Sequence, residues 1–175
     1  MNALEAILSR RSIRKYTSQP VPDATVKKLL SAAMSAPSAG NEQPWHFIVI
    51  TDRQTLDSMP MLPPGMRLPE PGPIQLAPLA ILVCGDPTSD RFHMGFWILD
   101  CAAATENILI AAHAEGLGAV WLPAYPDEER VKGIRSLLGI PEHIVPFALI
   151  PLGYPAESKP PNNRFDTARI RSNRW

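Results

Sequence analysis

The sequence predicts a single α+β domain, and three observations carry that reading. Apolar residues recur at helical spacing near residues 2–9, 22–36, 91–115 and 128–138. Four shorter runs, WHFIVIT, LAILVCG, AVWLPA and PFALIPL, are rich in β-branched and aromatic residues. No internal repeat or second core divides the chain, so one domain spans 1–175, ending in a polar, basic extension over 156–175.

The elements follow in order. Asn2 with Glu5 resembles a capping box, and Leu4, Ile7 and Leu8 share one face of the helix it starts. Val21-Pro22-Asp23 opens a second helix, whose apolar stripe is Val26, Leu29, Leu30 and Ala33 and which Pro37 ends. The turn-formers of SAGNEQP then lead into a strand over Trp45–Thr51. A short helix is expected over Asp52–Met59. Seven prolines, at 60, 63, 64, 69, 71, 73 and 78, make the stretch 60–78 a stiff, irregular excursion of the kind that serves as a lid. Leu79–Gly85 is a buried strand. Arg91–Glu115 reads as one long helix stopped by Gly116, apolar on nearly every side and therefore buried on most of them. Ala119–Ala124 is a strand, Glu128–Leu138 a helix stopped by Gly139, and Pro146–Leu152 the last strand.

Composition narrows the function. Lys plus Arg equal Asp plus Glu at 17 each, and a net charge of zero argues against a nucleic-acid binder. The apolar segment 94–114 contains Asp100, Glu106, Asn107 and His113, which lipid would penalise, and the N-terminus has no apolar signal region. A soluble, cytoplasmic protein is expected, with no membrane partner. Cys84 and Cys101 lie in apolar runs and read as reduced core residues. No Cys/His spacing suggests a metal. There is no GxSxG, HExxH or evident carboxylate pair, so no catalytic side chain is assigned, and any chemistry falls to an organic cofactor.

Against that neutral background, RRSIRK packs Arg10, Arg11, Arg14 and Lys15 into six residues. It reads as a solvated basic face, as a localisation or nucleic-acid patch, or as a pocket for a phosphate, whose oxygens suit guanidinium pairs and a serine hydroxyl. If the segment is extended, Arg10, Ser12 and Arg14 share one side, and Arg11 and Ile13 the other. In PSAGNEQPW, Asn41 and Gln43 offer donor–acceptor amides suited to the edge of a planar heterocycle, in what is otherwise a helix-to-strand loop. GLGAVW follows a helix and precedes a strand, the reverse of a dinucleotide fingerprint.

Taken together, RRSIRKY, APSAGNEQPWHF, LDCAAATENILIAAHAEGLGAVWL and NNRFD occur in an order that resembles the nitroreductase family of FMN-dependent oxidoreductases. The resemblance implies a mixed or antiparallel central sheet flanked by helices, in an intertwined homodimer built on the long central helix. It implies FMN sites at the dimer interface, with Arg10, Arg11, Ser12 and Arg14 at the phosphate and flavin edge. Pro37, Ser38, Ala39, Asn41 and Gln43 would contact the flavin from the other subunit. Leu122, Pro123 and Ala124 would pack on the ring, Arg164 would complete the phosphate site, and 156–175 would reach the partner subunit. Hydride would pass from NAD(P)H through flavin N5 to a nitroaromatic, quinone or similar small acceptor, in ping-pong fashion. Two departures stand out. Close relatives often have glycine where Pro123 removes an N–H, and the proline-rich 60–78 replaces a helical segment near the substrate pocket. They leave a flavin-storage protein without efficient turnover as the alternative.

Overall fold

The structure, a computed structural model, describes residues 1–60, 71–160 and 162–175. Its centre is an antiparallel sheet. β1 (Trp45–Ile50) pairs with β2 (Leu79–Gly85), which pairs with β5 (Val145–Gly153). The far edge of β5 carries two short pieces, β3 (Gly118–Ala119) and β4 (Leu122–Pro123). The expected strand over 119–124 is therefore interrupted at Val120–Trp121. Proline explains part of the break, because Pro151, whose carbonyl accepts the Val120 N–H, has no N–H to return the bond.

β2 is buried along its whole length and sorts its side chains by pleat. Leu79, Ile81 and Val83 join a core with Leu29, Ala33, Trp97, Cys101, Ala104 and Ile108. Ala80, Leu82 and Cys84 join a second core with Leu56, Met59, Ile74, Ile134 and Ile140. The first core is roofed by α2 (Asp23–Met34) and α5 (Phe96–Ala114), the second by α3 (Arg53–Asp57), α4 (Pro73–Leu76) and α6 (Glu128–Leu138). Both cysteines are free and buried, and burial pushes each thiol up to about 12. Of the proline-rich excursion, residues 61–70 lie outside the described residues; within 71–78, Pro73 opens the short helix α4.

The central helix starts later than the apolar pattern suggests. Residues 91–95 are not helical; the buried Asp90 carboxylate accepts N–H groups from Phe92, Gly95 and Phe96. A carboxylate that satisfies N–H groups at a helix start favours beginning the helix there. The stops are as expected, with Gly116 and Gly139 at φ +79° and +64°. Among the described residues no helix is long and apolar enough to cross a membrane.

α1 (Ala3–Ser9) is capped by Asn2, whose Oδ1 accepts the Glu5 N–H at 2.9 Å. Of its residues only Ala6 is buried; Leu4 and Leu8 are 64% and 66% exposed. The chain after α1 is seated on the sheet edge. Ile13 donates its N–H to Ala119 O at 3.0 Å, and Ser12 bridges Ala119 in parallel. Tyr16 Oη reaches Ile13 O at 2.6 Å and Pro151 O at 3.0 Å. Gly118 makes the seat, since a Cβ there would stand 2.6 Å from Ile13 Cγ2. Gly118→Ala is therefore expected to lower unfolding free energy by about 1–3 kcal/mol, the scale of core overpacking. Urea unfolding checks this; an unchanged midpoint would mean that Ile13 is not held tightly.

Candidate functional site

The basic segment turns two guanidiniums into one cleft, and the C-terminal tail adds a third. Arg10 and Arg11 line a cavity of about 520 Å³ that Ile7 and Leu8 bound on one side and Asn162, Asn163, Arg164 and Phe165 on the other. Among the described residues no carboxylate lines it. Arg10 Nε lies 3.4 Å from Glu106 Oε1. Arg11 donates through Nε to Pro160 O at 2.9 Å and through Nη1 to Arg10 O at 2.7 Å, while its Nη2 is buried with no hydrogen-bond partner among the described residues. An unpartnered buried guanidinium nitrogen is costly unless a hydrogen-bond acceptor completes it, and an anion is the strongest.

Strict alternation places Arg11 opposite Arg10, yet both line the cleft. Arg10 has φ −53° and ψ 137°, the polyproline-like region, whose threefold winding does not keep a pleated strand's twofold alternation. Ile13 does turn inward, onto Gly118. Ser12 uses its carbonyl for Lys159 Nζ, and Arg14 uses its N–H for Glu157 Oε1. Arg14 is exposed and does not line this cleft.

His113, near the end of α5, stands behind the arginines. Ser9 Oγ lies 2.7 Å from Glu5 O and 2.7 Å from His113 Nε2. With the hydroxyl proton on Glu5 O, Nε2 carries the imidazole proton. Partial burial, then Arg10 and Arg11, hold the His113 pKa below the usual histidine value.

The loop after α2 is a separate patch. Pro37 is exposed, and Ala39–Asn41 form a 3-10 turn. Gly40, Asn41 and Gln43 all have positive φ, at +58°, +59° and +51°. For the two non-glycine residues this costs roughly 1 kcal/mol each. Internal bonds hold the shape: Gln43 N–H donates to Ser38 Oγ and Gln43 Nε2 to Asn41 Oδ1, both at 3.0 Å. The loop meets α5 at Asp100, whose Oδ1 accepts the Ala39 N–H at 3.0 Å. Asp100 is 6% exposed, its Oδ2 is unpartnered, and burial raises its pKa, helped by the Glu42 and Asp90 carboxylates. Asp100, which meets the loop, and Glu106, which meets Arg10, are six residues apart on α5, roughly 9 Å along its axis. Within one chain none of the loop residues Pro37–Gln43 lines the arginine cleft.

The third group sits on β4. Leu122 is half-buried and Pro123 exposed; Ala124 is buried and spends its N–H on Phe147 O at 2.9 Å. The Pro123 carbonyl accepts from Arg130 Nη1. Asp90, Arg91, Asp100, Glu106, His113 and Asn162 were not singled out by sequence as site residues. Asp100 carried a signal, an acid inside an otherwise apolar helix; Arg91 carried none.

The lowered His113 pKa has a sign. An unfolded histidine binds its proton more readily than this one, so stability is full above the ordinary histidine pKa and falls as pH drops through it toward the folded value. Wild-type protein is expected to lose more thermal stability between pH 8 and pH 5.5 than His113→Gln does. Equal losses in melting scans would contradict the packing of His113 against the two arginines.

Relatives and solved structures match the chain and its fold. The chain matches the nitroreductase family profile over residues 7–62 and 66–154. It is 49% identical over 175 residues to a Methanothermobacter thermautotrophicus protein provisionally named NADH dehydrogenase/NAD(P)H nitroreductase, covering 100% of this chain and 88% of that one. A crystal structure from Parabacteroides distasonis with the same provisional name superposes with a TM-score of 0.89, at 41% identity and full coverage of both chains. An FMN-dependent nitroreductase from Clostridium difficile R20291 superposes with a TM-score of 0.85, at 30% identity, covering 98% of this chain and 99% of that one. The match extends along almost the whole sequence, and the chain belongs to the nitroreductase family.

Proposed function

We propose that the protein is a homodimeric, FMN-dependent oxidoreductase that uses NAD(P)H to reduce a nitroaromatic, quinone or similar small acceptor. The observation that carries this reading is the cleft where Arg10, Arg11 and Arg164 converge, with the buried Arg11 Nη2 lacking a partner among the described residues. That donor set fits a phosphate monoester, which guanidiniums bind through paired N–H groups. Relatives named FMN-dependent nitroreductase and NADPH nitroreductase support the flavin and the reductant.

In this reading Arg10, Arg11 and Arg164 hold the FMN phosphate, and Ser12 and Arg14 continue along the cofactor. Pro37, Ser38, Ala39, Asn41 and Gln43 meet the flavin from the second copy, and Leu122, Pro123 and Ala124 pack beside the ring. Bound FMN supplies a hydride acceptor and donor at N5. The chain binds and orients, and fixed cations near the flavin favour its reduced, more anionic form. Two copies are supported by what one copy leaves uncovered. Leu4, Ile7 and Leu8 on α1, Leu99 on α5, Met94, and Phe165 and Trp175 on the tail are exposed large apolar residues. That none of the loop residues Pro37–Gln43 lines the cleft within one chain also suits a site completed by a second copy.

Flavin storage without turnover is the second reading, favoured by one observation. Pro123 has no N–H and the Ala124 N–H is spent on Phe147 O, so these two residues give the flavin no backbone donor. Stopped-flow mixing with NADH or NADPH separates the readings. Rapid bleaching of bound flavin is expected for the oxidoreductase, and a flavin that stays oxidised indicates storage.

Arg164→Ala should weaken FMN binding roughly tenfold to a hundredfold, since a hydrogen bond to a charged group is worth about 1.5–3 kcal/mol. Its side chain is exposed, so the melting temperature of the apoprotein should hold. Fluorescence titration checks this; unchanged affinity would mean that Arg164 does not meet the phosphate.

A further inference from the structure

We infer that Arg91 and Asp100 are positioning residues for the Ser38–Gln43 loop, and through it for the flavin of the neighbouring copy; the second clause rests on the FMN reading above. Neither residue lines the arginine cleft. Asp100 holds the start of the loop through the Ala39 N–H at 3.0 Å. Arg91 holds its middle. Its Nη2 donates to Gly40 O at 2.8 Å, its Nε lies 2.8 Å from Glu42 Oε1, and its N–H donates to that same oxygen at 3.3 Å.

Gly40 is the other half of the latch. A Cβ at residue 40 would stand 2.1 Å from Arg91 Nη2, so a side chain there and this guanidinium compete for one space. Its φ of +58° separately favours glycine. Asp90 places Arg91: by gathering the N–H groups of Phe92, Gly95 and Phe96, it folds residues 91–95 over the start of α5, beside the loop.

A loop with left-handed residues at 40, 41 and 43 persists only where its surroundings over-determine it. The bonds among Ser38, Asn41 and Gln43 fix the shape of the loop. The bonds from Arg91 and Asp100 fix where that shape sits on α5. A loop that is correctly shaped but shifted would present Asn41 and Gln43 at the wrong place, and small misplacements of positioning groups are costly.

The test uses the full chain with Arg91→Ala, Arg91→Lys, Gly40→Ala and Asp100→Asn. Hydrogen exchange reads the amides of residues 39–43 in the apoprotein. Fluorescence titration reads FMN affinity, and the visible spectrum reads the flavin's surroundings. In Arg91→Ala and Gly40→Ala the loop amides are expected to exchange faster, and FMN affinity to fall roughly tenfold, the scale of one charge-assisted hydrogen bond. The flavin spectrum should shift with them. Arg91→Lys should recover part of the loss, because an ammonium reaches Glu42 or Gly40 O but has no planar fork to hold both. Asp100→Asn keeps an acceptor for Ala39 and should loosen the loop least. Loop amides that exchange as in wild type would overturn the latch. Faster exchange with unchanged FMN affinity and spectrum would overturn the positioning role. Wild-type protein that binds no FMN would overturn the FMN reading and the flavin-positioning clause with it, while the exchange data would still decide whether the latch exists.

Discussion

A helix of 19 residues that is apolar on nearly every side must be covered, and most of this fold is arranged around covering α5. Its buried side chains run through Trp97, Cys101, Ala104, Ile108, Leu109 and Ala112, against α2 and the inner face of the sheet. Trp97 lies so close to Gly85 that a Cβ there would stand 2.4 Å from its ring, which ties the start of α5 to the end of β2. The chain alone leaves part of the helix uncovered, with Leu99 64% exposed. The exposed row on α1 and the exposed tail have the same character. The second copy proposed above would remove that apolar surface from water by covering all three together.

The functional groups hang on α5 at different stations. Asp100 meets the Ser38–Gln43 loop, Glu106 meets Arg10, and His113 meets Ser9. This is how a protein with no net charge concentrates cations without losing them to solvent. Ile13 is fastened to β3, which commits Arg10 and Arg11 to the cleft, and Glu106 offsets part of the repulsion between them.

Much of this was legible in the sequence. The pleat of LAILVCG, the glycine stops at 116 and 139, and the Asn2 cap report local rules that tertiary structure did not override. Three features were not legible. The start of α5 depends on Asp90 reaching residues 92, 95 and 96, a side-chain act that apolar periodicity does not record. The interruption within 119–124 falls opposite Pro151, a proline some thirty residues later, although both short pieces keep one register on β5. The side that Arg11 takes depends on a polyproline-like dihedral at residue 10, where a strand's alternation does not apply. Arg91 was invisible because its partners, Gly40 and Glu42, lie some fifty residues earlier and meet it only in the folded chain.

The central claim is that the arginine cleft holds a phosphate belonging to a flavin. FMN and riboflavin differ by that phosphate alone, so their affinities for the apoprotein, compared in one buffer at one ionic strength, isolate what the cleft does. Several charge-assisted contacts make FMN at least roughly a hundredfold tighter than riboflavin. Equal affinities for the two would contradict the assignment of Arg10, Arg11 and Arg164 to the phosphate.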